Sequence, residues 1–242
     1  MNELHRYGNF SSSEIYKLVK SGRGKNDVFS QTGLTYIAEK RMEKRLGRSL
    51  SSETNAKPTN WGTFLEGIAF EKLSLDFSLV SKKRFVHTKY PNWVGMPDNL
   101  STDIVADIKC PWTMKQFCEL VDAMKSGDPY QYLKSLDGQG QLGSHYIWQL
   151  VSNAILCDRD YAALFVYVPY KSDLDMIRYQ ASQAEDQNKV AFIQWAKDDE
   201  LPYLPDDCEY YKDFNTCTFE IPQEDKDFLT ERVVLAIEML NG

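Results

Sequence analysis

Long hydrophobic runs are missing from this sequence. Nowhere in its 242 residues does an apolar stretch approach the roughly 20 residues that a membrane-crossing helix requires. The start, Met1-Asn2-Glu3-Leu4-His5-Arg6, lacks the apolar core of a secretory leader, so the expected location is the cytoplasm. The five cysteines (Cys110, Cys118, Cys157, Cys208, Cys217) are scattered, odd in number and without a CxxC, which argues against a disulfide framework or a structural zinc. An excess of positive charge is lacking too. Lys and Arg number 28 against 35 Asp and Glu, a net charge of −7, which is awkward for a protein that grips phosphates. A local basic lining can nevertheless coexist with an acidic exterior. The basic residues come early, as Lys17, Lys20, Arg23 and Lys25 and then Lys40, Arg41, Lys44, Arg45 and Arg48; Lys197-Asp198-Asp199-Glu200 and Pro205-Asp206-Asp207 come late. Internal repeats and low-complexity segments are absent.

What is there is ordinary for a folded domain: 43% hydrophobic and 26% charged residues. A chain of this length is expected to form one domain, 1–242, large enough for a full core around a central sheet. Ser11-Ser12-Ser13-Glu14 caps a short amphipathic helix. A second helix is expected from about Gly33 to Leu46, closed by Gly47, and Ser49 to Pro58 reads as loop. In the next helix Gly62, Glu66, Ala69, Phe70 and Leu73 fall on one side. Two short strands near Arg84–His87 and Asn92–Gly95 lead to a Pro97-Asp98 turn. Met114 to Met124 reads as a helix and Gly127 to Gly140 as a turn-rich connection. A longer helix covers Gln141 to Cys157, with Leu142, Tyr146, Leu150, Ala154 and Cys157 inward and Gln149 at the edge of that face. Tyr161 to Pro169 is the clearest strand. A single helix from about Ser172 or Leu174 to Trp195, an acidic loop over Asp198 to Asp213, a strand near Thr216 to Ile221 and a helix from Gln223 to Leu240 complete the chain. The order of elements suggests helices packed around a small mixed sheet.

The stretch around which these elements are arranged is Val94-Gly95-Met96-Pro97-Asp98-Asn99-Leu100, followed by Asp103-Ile104-Val105-Ala106-Asp107-Ile108-Lys109-Cys110-Pro111. Valine and isoleucine in a short run bounded by turn residues read as a buried strand. Alternation places Asp107 and Lys109 on one face and Ile108 on the other. Ionised groups in such a run are costly to bury unless paired or bound to a metal. Taken alone, Asp-x-Lys also suits an amphipathic strand with one wet face, and Glu66 suits the rim of its helix.

Together the motifs resemble the lambda exonuclease or viral-recombinase family of phage-type exonucleases, within the PD-(D/E)xK nucleases. The family pattern is Trp-Gly…Glu, Ser-Pro-Asp-Gly, Glu-x-Lys-Cys-Pro, then a helix bearing glutamine. Here these read Trp61-Gly62…Glu66, Met96-Pro97-Asp98-Asn99, Asp107-Ile108-Lys109-Cys110-Pro111 and Gln149. The resemblance spans about Arg6 to Pro169 and implies an α/β, restriction-endonuclease-like core, a central mixed sheet flanked by helices. It implies that Asp98, Asp107 and the Ile108 carbonyl hold a metal, that Glu66 holds a second metal or its water, and that Lys109 activates the attacking water. Gln149 would brace the lysine or the scissile phosphate, and Arg6 with Ser13 would grip a terminal 5′-phosphate. The expected ion is Mg²⁺, with Mn²⁺ able to substitute; the scattered cysteines argue against the iron–sulfur cluster of some relatives. Met96, Asn99, Asp107 and Val151 depart from the usual Ser, Gly, Glu and second Gln; Asn99 was expected to tolerate a positive φ in the turn.

The activity implied is a 5′→3′ exonuclease acting on one strand of linear double-stranded DNA to give 3′ overhangs for recombination. Its implied partners are double-stranded DNA ends, a single-strand annealing protein and further copies of itself, as in the trimeric rings of relatives. If phage-encoded, it would work in a bacterial host cell. An endonuclease of repair or restriction type, and a non-catalytic DNA-end-binding module, are the other readings.

Overall fold

In a computed structural model, residues 7–24, 27–50, 56–73, 78–79, 83–138 and 140–242 are described. The main sheet is mixed and five-stranded. Its strands are β2 (Ser78–Leu79), β5 (Asn99–Leu100), β6 (Ile104–Lys109), β7 (Tyr161–Tyr167) and β8 (Phe214–Glu220), in that spatial order. β6 and β7 run parallel in a register pairing Asp107 with Leu164, and the other neighbours are antiparallel. A parallel pair needs a long crossover. Three helices supply it: α3 (Met114–Met124), α4 (Pro129–Ser135) and α5 (Gly143–Cys157).

Alternation along β6 and β7 builds two cores. Val105, Ala162, Leu164 and Val166 face α3, α5 and the C-terminal α8 (Gln223–Asn241). Ala106, Ile108, Ala163 and Phe165 face α2 (Lys57–Phe70), α6 (Leu174–Gln183) and α7 (Gln187–Trp195). Burial of both faces explains the nearly continuous apolar run of β7. The helices-on-both-faces architecture expected from the sequence is the one present. Among the described residues no helix is long and apolar enough to cross a membrane, and all five cysteines are free.

A smaller sheet carries the N-terminal segment. β1 (Phe10–Ser11) pairs in parallel with β4 (Trp93–Gly95), which pairs antiparallel with β3 (Phe85–Val86). The short helix expected after β1 is a 3-10 helix, Ser12–Leu18. It buries Ile15 and Leu18, while α1 (Gln31–Leu46) starts two residues before the expected Gly33 because Ser30 accepts from the Gly33 N–H. Gly47 ends α1 at φ 68°, as expected. Glu43, 2% exposed, joins these parts. Its carboxylate accepts from Gly8 N at 2.9 Å, Leu50 N at 3.2 Å, Ser49 Oγ at 3.4 Å and Lys40 Nζ at 3.0 Å. Burial raises its pKa, but these partners outweigh burial and leave it lowered. Its stabilising contribution is therefore present above the ordinary carboxylate range and lost as pH falls through the folded value. Glu43→Ala should lose about 3 kcal/mol in denaturant unfolding at neutral pH, and the gap from wild type should narrow in acid.

Four expectations are corrected. The connection Gly127 to Gly140 contains α4, because Asp128 caps Gln131 N at 3.1 Å and Pro129 fits the first turn. The single helix to Trp195 is two: Ala184 is extended, and Gln187 Nε2 donates to the freed carbonyls of Ala181, Ser182 and Ala184. The buried stripe of α2 is Asn60, Trp61, Leu65 and Ala69, with Glu66 bordering it. Asn99 is a buried strand residue, and among the described non-glycine residues positive φ occurs at Asp158.

Candidate active site

The site forms where the turn between β4 and β5 meets β6. β5 pairs Asn99 with Ala106, so the residue before Asn99 lies beside the residue after Ala106. Asp98 and Asp107 are thereby interlocked. Ile108 N donates to Asp98 Oδ2 at 2.8 Å, and Asp98 N donates to Asp107 Oδ1 at 3.3 Å. Asp107 is fully buried. Lys109, on the same strand face, brings Nζ to 3.8 Å from Asp107 Oδ2. Its ammonium also lies over the Tyr146 ring of α5, 5.2 Å from the centroid.

Electrostatics mark this cluster out. Burial pushes the Asp98 carboxyl up to about 7; the neighbouring Asp107 adds to the rise and Lys109 offsets part of it. Burial also raises Asp107 and Glu66, again partly offset by Lys109. For Lys109, burial favours the neutral amine, but Asp107 and Asp98 outweigh it and hold the pKa above its usual value. Lys109 is thus a fixed cation at neutral pH, suited to stabilising anionic oxygen rather than to accepting a proton. Three carboxylates around one ammonium leave an excess of negative charge that a further cation would relieve. The side-chain donors of Asp98 and Asp107 are all oxygen, the set a hard divalent ion takes. Among the described residues, no three His, Cys, Asp or Glu side chains are drawn together as a metal-holding group. The Asp107 charge adds to the rise at Glu66.

Gln149 lies half-buried on α5, three residues after Tyr146 and four before Asn153, and so shares their face. Ser13 is exposed, its Oγ 3.2 Å from Ser11 Oγ; its neighbour Ser12 bonds Ser152 Oγ at 2.8 Å, which places this turn against α5. Arg6 lies outside the described residues. The early basic residues are partly engaged: Lys17 with Glu14, Lys20 with Asp137 at 2.7 Å and Lys40 with Glu43. Sequence reasoning missed two residues. Tyr146 was placed inward without a role, and Asn153, whose amide faces Asp107, was not singled out. An asparagine four residues beyond Gln149 on a buried helix was the available signal.

No family model and no curated protein matches this chain. Solved structures do. An alkaline exonuclease, LHK-Exo from Laribacter hongkongensis, is 13% identical with a TM-score of 0.58, covering 98% of this chain and 91% of its own. In complex with dAMP the same enzyme gives 15% identity, a TM-score of 0.61, and coverage of 98% and 89%. The fold is that of these exonucleases. A phage-related exonuclease from Haemophilus somnus 129PT, 16% identical, aligns at a TM-score of 0.59 over 96% of this chain and 93% of that one. With identity this low, the exonuclease fold is what the likeness supplies; the chemistry rests on the site residues above.

Proposed function

We propose that this chain is a metal-dependent exodeoxyribonuclease that degrades one strand of linear double-stranded DNA from its 5′ end. The observation that carries the reading is the interlocked Asp98–Asp107 pair with Lys109 beside it. Mg²⁺ or Mn²⁺, when bound, would supply an acidified water and charge neutralisation at the phosphate. Asp98, Asp107 and the Ile108 carbonyl would hold it. The Ile108 N–H keeps the Asp98 carboxylate turned toward β6. Lys109 stays protonated and places its ammonium where negative charge develops on the phosphate oxygens. Tyr146 screens the face of that ammonium. Glu66 adds a carboxylate for a second ion or an ordered water, and Gln149 offers an amide from the same helix face.

The products would be 5′-mononucleotides and a 3′ overhang, the substrate class of a single-strand annealing protein, which we take as the partner. Assembly into a ring around duplex DNA fits the same reading and is checked by the solution mass of the protein with and without DNA.

Digestion of linear duplex in Mg²⁺, with 5′-phosphate and 5′-hydroxyl ends compared, tests the proposal. Loss of the phosphorylated strand alone, with a covalently closed circle untouched, is the expected result and brings Arg6 and Ser13 in as the end-reading pair. Cutting of the circle would make it an endonuclease. Binding of ends without cutting would make it a docking module.

A further inference from the structure

We infer that Asn153 positions Asp107 for metal capture, an inference that rests on the nuclease reading. Asn153 sits on α5 and is wholly buried. Its Nδ2 lies 3.4 Å from Oδ1 and 3.4 Å from Oδ2 of Asp107. The opposite amide orientation would set Oδ1 against two carboxylate oxygens, so electrostatics fix the donor toward Asp107. The contacts are long for hydrogen bonds. A forked donor at that distance orients the carboxylate plane without saturating either oxygen. Asp107 is then flanked by three cationic or N–H donors: Asn153 of α5, the Asp98 N–H of the turn, and Lys109 of its own strand.

The other end of the amide supports a positioning role. Among the described residues the buried Asn153 Oδ1 has no hydrogen-bond partner, a cost that a residue kept only for packing would not carry. Space for it depends on Gly95, the last residue of β4. A Cβ there would lie 2.5 Å from Asn153 Oδ1 and 2.4 Å from Ser12 Oγ. Ser152, next along α5, shows what a purely structural polar residue looks like here. Its Oγ accepts from Trp93 Nε1 at 2.8 Å and bonds Ser12 Oγ at 2.8 Å, joining β4 to the N-terminal turn without touching the carboxylates. Among the described residues the side-chain partner of Asn153 is Asp107.

Mn²⁺ titration of the full chain, followed by the ion's spin resonance, tests this, with near-ultraviolet dichroism and the thermal midpoint recorded for each variant. Asn153→Leu, which keeps the branched shape and removes the donor, should bind Mn²⁺ about tenfold more weakly, the scale on which outer-sphere partners act. Asn153→Ser retains a donor and should fall between it and wild type. Ser152→Ala should lower the midpoint and leave Mn²⁺ affinity unchanged. A folded Asn153→Leu that binds within twofold of wild type overturns the inference, as does an equal loss in Ser152→Ala. If Asn153→Leu does not fold, Asn153→Ala, which also removes the donor, decides by the same criterion: wild-type affinity overturns the inference. Absence of Mn²⁺ binding by wild type overturns the metal reading itself, and this inference with it.

Discussion

Lys109→Ala should lower single-turnover cleavage of linear duplex by roughly 10²–10³-fold, the scale on which one preorganised charge acts on a transition state. The side chain is held between the Asp107 carboxylate and the Tyr146 ring, and its pKa is raised above the usual lysine value. It therefore presents positive charge at neutral pH. Loss of that charge should appear in the chemical step, with DNA binding at saturating substrate little altered. Lys109→Arg keeps charge but replaces a compact ammonium by a planar fork, so recovery should be partial. Asp107→Asn should be comparably inactive for a different reason, loss of an oxygen from the proposed metal site. Wild-type turnover in a clean preparation of Lys109→Ala would show that the lysine merely balances buried carboxylates.

Asp98→Asn should make the metal-free protein more stable. Burial and the nearby Asp107 carboxylate raise the Asp98 pKa from 3.8 to about 7. A raised folded-state value means that the native protein holds a proton the unfolded chain releases. The resulting stability is complete below about 3.8 and lost as pH rises through about 7. At pH 8 with chelator, wild type carries the full penalty of the buried charge, and the amide carries none. The expected gain is on the order of 2–4 kcal/mol in denaturant unfolding, given roughly 1.4 kcal/mol for each unit of pKa. It should shrink steadily toward pH 4. The asparagine Oδ1 can still accept from the Ile108 N–H, so the turn should persist. Mg²⁺ should restore the stability of wild type and leave Asp98→Asn unmoved. An Asp98→Asn protein less stable than wild type at pH 8 without metal would show that the ionised carboxylate is already compensated within the fold.

The strand that carries Asp107 and Lys109 was legible because its chemistry contradicts its surroundings. Asp107 and Lys109 share one face of an otherwise apolar run, and alternation alone puts them together, as found. α3 and the C-terminal helix matched expectation because periodic apolar positions coincide with clear ends, Thr113 for one and Pro222 for the other. α5 hid its detail for the opposite reason. Its buried residues run almost all round, from Gly143 through Trp148 and Leu150–Ala154 to Cys157, so periodicity could not say which polar side chain faced the site. Asn153 was lost in that uniformity. The edge strands were illegible as a sheet because two residues carry no period. Asn99 was misread because a turn motif predicts φ, whereas pairing with Ala106 decides it. The division between α6 and α7 leaves no glycine or proline in Ser182-Gln183-Ala184-Glu185-Asp186; a side chain three residues beyond Ala184 satisfies the broken end.

The small sheet has a consequence for how the chain reaches this state. Ser12 meets the Val94 carbonyl across 82 residues and Ser152 across 140. At roughly 5–20 residues per second of synthesis, Phe10 and Ser11 leave the ribosome many seconds before β4 exists and longer still before α5 can cover them. Through that interval their backbone is an open edge, able to pair with any other extended segment nearby. The turn that carries Asp98 follows directly on the strand β1 is waiting for, so assembly of the Asp98–Asp107 pair belongs to the late, non-local phase of folding.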